Sequence, residues 1–169
     1  MSMTNIDRYL NRNKQNRNKP ALNTALAPAV ILAGMWALAP LNAADMPNAC
    51  PVDGCEVTIL SVDPAEGDEL LLMLEANFTP DNARNHLHMW WGEQYNVEQV
   101  GRNAKSEFGV EQGKWHRHDS YPEYTTTGAA SVAVRDGSST LCVTAADRDH
   151  NVLDAELFHC VDVSKYLPD

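Results

Sequence analysis

Six histidines are spread over 169 residues, and five of them sit in three short stretches whose spacing suits metal ligation. HLHMWW carries His86 and His88, KWHRHDSYPEY carries His116 and His118, and DRDHNVLD carries His150 between Asp149 and Asn151. Neutral imidazole nitrogens bind zinc and copper well, and a carboxylate commonly orients such ligands. His86, His88, His150, Asp147 and Asp149 are thus residue types suited to copper or zinc. Asp147, Asp149 and Asn151 also follow a DxDxN spacing that admits calcium as a weaker alternative. Val152 stands where an EF-hand loop needs glycine, which leaves only a simpler loop site.

The second HxH has two readings of its own. His116 and His118 fall on one side of an extended strand, as a further ligand pair. Alternatively, Trp115, His116, His118 and Tyr121 join Trp90 as an aromatic platform for a carbohydrate or protein partner. Against both stands a plainer reading. Sheet histidines serve as polar partners for carbonyls and acids, and aromatics cover an edge.

Strands must position these groups, because the apolar residues come in short runs separated by turn residues. EVTILSV (56–62), LLLMLEANF (70–78), HLHMWW, AASVAVRDG, TLCVTAA and ELFHCVDV (156–163) read as strands. Residues 92–127 are polar and glycine-broken; one short helix in NVEQVGRNAKSEF and one or two edge strands are expected there. Side chains alternate along a strand, so Leu87, Met89 and Trp91 share a core face, with His86, His88 and Trp90 on the opposite, open face. About seven short strands without a long helix give an all-β antiparallel sandwich.

Residues 1–44 read as a signal peptide. Arg8, Arg12, Lys14, Arg17 and Lys19 precede the apolar run from Ala21 to Ala39, and small residues offer cleavage after Ala43 or Ala44. Residues 45–169 then form one domain, secreted or periplasmic, and membrane contact arises only if the leader is uncleaved. The whole chain carries a charge of −10, and the leader holds five of the 13 basic residues but one of the 23 acidic ones. The domain is thus near −14, a charge that repels nucleic acid. Four cysteines in an oxidising compartment favour disulfides, with three connectivities open. Pairing neighbours in sequence joins Cys50 to Cys55 and Cys142 to Cys160. If the last two strands form a hairpin centred near Asn151, Cys142 falls opposite Cys160, Thr144 opposite Phe158 and Ala146 opposite Glu156.

TLCVTAADRDHNVLDAELFHCVDV, with the Trp-bearing strand HLHMWW, resembles the closing strands of bacterial extracellular immunoglobulin-like domains, including the PKD type. The chain is also similar to small uncharacterised secreted bacterial domains that pair an HxH strand with a late DH and a final CVD. The likeness covers roughly residues 55–163. It departs from the pattern at LLLMLEANF, which lacks the inter-sheet cysteine, at Thr140 in place of a corner tyrosine, and at WWGEQ in place of an acidic glycine turn. The resemblance implies an immunoglobulin-like sandwich whose third strand pairs antiparallel with its sixth. That pairing would bring the start of HLHMWW beside DRDHNVLD and so gather His86, His88 and His150 with Asp147 or Asp149 as a copper or zinc ligand set.

The resemblance implies no activity, and no GxSxG, HExxH, phosphate loop or dinucleotide fingerprint appears. Redox or hydrolytic chemistry at a histidine metal site is the enzymatic alternative. The leading expectation is a binding module for a protein or carbohydrate; the alternative is a small copper- or zinc-binding protein.

Overall fold

The leucine- and valine-rich runs form two antiparallel sheets. A computed structural model describes residues 47–167, so the signal peptide read at 1–44 lies outside the described residues. The strands are β1 (Val57–Pro64), β2 (Leu70–Ala76), β3 (His86–Trp91), β4 (His116–His118), β5 (Glu123–Thr125), β6 (Thr140–Ala146) and β7 (Phe158–Asp162). One sheet has the order β1-β2-β5, the other β4-β3-β6-β7. Leu72 and Leu74 of the first meet Leu87, Met89, Trp91, Leu141 and Val143 of the second in a common interior. Each such fully buried side chain stabilises the sandwich by about 1.5–3 kcal/mol relative to exposure. The all-β sandwich expected from the sequence is the observed architecture.

The closing hairpin takes the expected register, with Cys142 opposite Cys160 and Thr144 opposite Phe158. Both disulfides form as expected, Cys50–Cys55 and Cys142–Cys160. The ladder ends one step earlier than alternation implies, because Ala146 bridges to Val152 rather than Glu156. This tight return leaves residues 147–151 as the hairpin tip. β3 lies antiparallel to β6 with His86 opposite Ala146, so its start meets that tip.

One expectation changes. AASVAVRDG is not a strand but two single turns of 3₁₀ helix, Gly128–Ala130 and Val132–Val134. Ala130 and Val132 still reach the core although Val134 is exposed, and the Glu69 carboxylate accepts from Ser131 Oγ, the Val132 amide and Thr126 Oγ1. A half-buried acceptor drawing on consecutive backbone and hydroxyl donors holds a turn rather than a strand. Residues 92–127 supply the expected edge strands, β4 and β5, and the expected short helix, the one-turn α1 (Ala104–Glu107).

Among the described residues no helix is long and apolar enough to cross a membrane.

Candidate metal centre

β3 is buried along its whole length, and that alters the site. Leu87, Met89 and Trp91 face the sandwich interior as alternation requires. The other face is not open, because residues 92–115 fold back over it as a flap. Trp90 packs there with Val97, Val100, Cys142 and Val152, and its Nε1 donates to the Tyr95 carbonyl at 2.9 Å. Trp90 is 1% exposed, so it belongs to a second core and not to a ligand platform.

His86 and His88 lie beneath the same flap. His86 Nδ1 lies 3.0 Å from the Arg84 carbonyl, and His88 Nδ1 lies 2.6 Å from the Val100 carbonyl. A carbonyl only accepts, so each Nδ1 carries the proton and each Nε2 presents a lone pair. Those two Nε2 atoms face each other at 3.1 Å, and His150 Nδ1 stands 3.1 Å from His86 Nε2. The three ligand atoms lie within 4.8 Å of one another. Tetrahedral zinc with bonds near 2.0–2.1 Å spaces its nitrogens by about 3.3 Å. A proton is not easily taken up between His86 and His88. Burial comes first among the causes that lower both rings, taking His88 to about 2. Burial also lowers His150, with His86 as the next cause. Three neutral imidazoles are the protonation state that metal binding requires.

The flap and the hairpin tip fix the third ligand. Asn103 on the flap donates from Nδ2 to the Val152 carbonyl and accepts the Val152 amide at Oδ1, both at 3.1 Å. The Arg102 amide donates to the His150 carbonyl at 2.7 Å. At Gly101 the two segments run so close that a Cβ would meet the Val152 nitrogen at 2.7 Å. His150 itself has φ +67°, a left-handed conformation unusual for a side chain of its size. Trp115 stacks on the His88 ring, centroids 5.0 Å apart, and seals that side.

Measured against known protein families, curated proteins and solved structures, the chain matches none. What the centre does must therefore be read from its own geometry.

Not every candidate residue joins the centre. Asp147 accepts from the Asp149 and Asn151 amides and from Asn151 Nδ2, so its carboxylate closes the hairpin tip. Asp149 is exposed and pairs with Arg148 at 3.6 Å. With Asn151 donating to Asp147, the DxDxN residues do not turn a common set of oxygens toward calcium. The second HxH lies on the other side of the sheet. β4 pairs His118 with Leu87 and His116 with Met89, which turns both histidines toward the sandwich interior. His118 stacks on Tyr124 at 3.8 Å and His116 Nδ1 meets the Tyr124 hydroxyl at 2.7 Å. The Ser120 backbone favours the charged form of His118, yet neither ring nitrogen makes a well-formed hydrogen bond. Burial and then His116 bring His118 to about 3. Tyr121 packs against the main core with its hydroxyl accepting the Ala76 amide.

Sequence reasoning missed three contributors. Arg117 lies between the two histidines of HRH, so alternation alone places it opposite them, on the face of His88. Asn103 and the Val100 carbonyl have no sequence signal, because their roles depend on the flap's path.

Proposed function

We propose that this protein is an exported metal-binding protein that holds one copper(II) or zinc(II) ion on His86, His88 and His150. One observation carries the reading: two buried imidazoles, each with its Nδ1 proton fixed on a carbonyl, aim lone pairs at each other and at a third histidine. Backbone carbonyls that fix the tautomer are the usual outer partners of metal-ligating histidines. Export is supported by the basic-then-apolar leader and by two disulfides, which persist in secreted or periplasmic surroundings. A general interaction module with an aromatic platform has less support, since Trp90, His118 and Tyr121 are engaged in packing.

The test is metal content by mass spectrometry on protein purified without chelator or histidine tag, followed by equilibrium dialysis with copper and with zinc. About one ion per chain is expected, lost in His150→Ala, whose half-exposed ligand can be removed with little harm to the fold. Wild-type protein that takes up neither ion at micromolar concentrations would overturn the proposal.

A further inference from the structure

His86 and His88 are 0% exposed, so a bound ion would meet solvent only on the side of His150. Arginines and carboxylates stand together on that side, Asp147 acting on both His86 and His150 and Asp119 on His86. Arg117 is exposed, and its Nη1 lies 3.4 Å from His150 Nε2. Arg102 lies close enough to disfavour charge on the same ring. Two of the domain's eight basic residues thus flank one opening of a strongly acidic molecule. Among the described residues Arg117 has no carboxylate within ion-pair distance. The nearby carboxylates turn their oxygens to other donors, Asp147 to the hairpin-tip amides and Asp119 to the Asn82 amide, so neither forms an ion pair with Arg117.

The His150 tautomer links this arginine to the ion. An N–H of Arg117 directed at Nε2 needs a lone pair there, which places the ring proton on Nδ1, facing His86 Nε2. An ion bound at Nδ1 reverses the arrangement. The proton then sits on Nε2, no proton is gained or lost overall, and Arg117 faces a donor instead of an acceptor. A divalent ion held by three neutral ligands carries its full charge beside that guanidinium. One anion placed between them answers both.

We propose that the trihistidine centre takes a small carboxylate-like anion as its further ligand, with Arg117 supplying the countercharge on the solvent side. This rests on the metal-binding reading above. Arg117 is a positioning residue for the anion and not a ligand to the ion.

The experiment uses protein loaded with one equivalent of copper(II), with stoichiometry checked first, then titrated with azide and followed by charge-transfer absorption and electron paramagnetic resonance. Azide is expected to bind the wild type and to be displaced by acetate. Arg117→Gln should keep one copper per chain but weaken both anions by about tenfold or more, in line with loss of a charge-assisted hydrogen bond. Arg117→Lys should recover part of that loss. A loaded wild type whose spectra ignore azide, acetate that fails to displace it, or equal affinity in Arg117→Gln would overturn the anion site and leave the metal centre standing. A wild type that binds no copper would overturn both.

Discussion

A buried tryptophan beside two histidines looks like part of a recognition surface until its contacts are known. Trp90 fills the space beneath the flap and makes its one polar contact with the Tyr95 carbonyl. Truncating such a side chain leaves a cavity and typically costs 3–5 kcal/mol. Trp90→Ala should therefore unfold the domain at markedly lower urea, and Trp90→Phe should lose less because the ring volume is largely kept. Denaturation curves check this; a Trp90→Ala protein as stable as the wild type would remove the tryptophan from the second core. The same residue-level reasoning separates the two HxH motifs. They have identical spacing, yet strand register turns one toward the flap and the other toward Tyr124, so spacing alone cannot say which pair meets a third histidine.

At the level of elements, the flap is what converts a polar strand face into a closed centre. Asn103 is 7% exposed and satisfies both backbone groups of Val152, two residues beyond His150. Asn103→Ala would leave a buried amide and carbonyl unpaired, a loss of about 1–3 kcal/mol for each unsatisfied group. It should also weaken metal binding without removing a ligand, because His150 would no longer be held against His86. Paired measurements of stability and metal affinity check this: a variant that melts lower but binds as tightly would confine Asn103 to folding. A second anchor acts on the opposite side of the sandwich. Partial burial works against the Glu69 charge, but the Ser131 and Thr126 hydroxyls and the Val132 amide outweigh it and lower its pKa. Glu69→Gln should cost about 1–2 kcal/mol in urea unfolding and loosen the 128–134 turns. These two anchors also mark the limit of what the sequence discloses. The strands β1, β2, β3, β6 and β7 and the disulfides follow from alternation, hairpin register and cysteine spacing, all of them local patterns, whereas the meeting of His86, His88 and His150 needs the long-range pairing of β3 with β6 and is expected only from the immunoglobulin-like resemblance. The flap has no apolar stripe, since it is held by single side chains reaching backbone groups about 50 residues away, and AASVAV shows strand periodicity while a distant carboxylate bends it into turns.

For the whole molecule, the histidines set how stability responds to acid. All six are lowered from the ordinary value, with burial the first cause in each, His88 to about 2 and His118 to about 3. In the unfolded chain they titrate near 6.5, so below that pH the unfolded state binds more protons than the native state. The sign follows directly: stability is fully present above about pH 6.5 and falls as the pH drops toward the folded values. Each histidine kept neutral contributes a loss of about 1.4 kcal/mol per pH unit, so His88 and His118 together give roughly 3 kcal/mol per unit. Metal-free protein should hold its urea midpoint between about pH 8 and pH 7 and lose it steeply below about pH 6. A bound ion should raise the whole curve by RT ln(1 + [M]/Kd), about 4 kcal/mol at a free-ion concentration a thousand times Kd. That added stability must itself vanish in acid, because protons and metal compete for the same nitrogens. Urea titrations of the metal-free and metal-loaded protein from about pH 8 to pH 4 test both parts. A metal-free midpoint level across this range would mean that the histidines accept protons without leaving the fold. A metal-dependent gap that persists at pH 4 would mean that the ion is not held by imidazole.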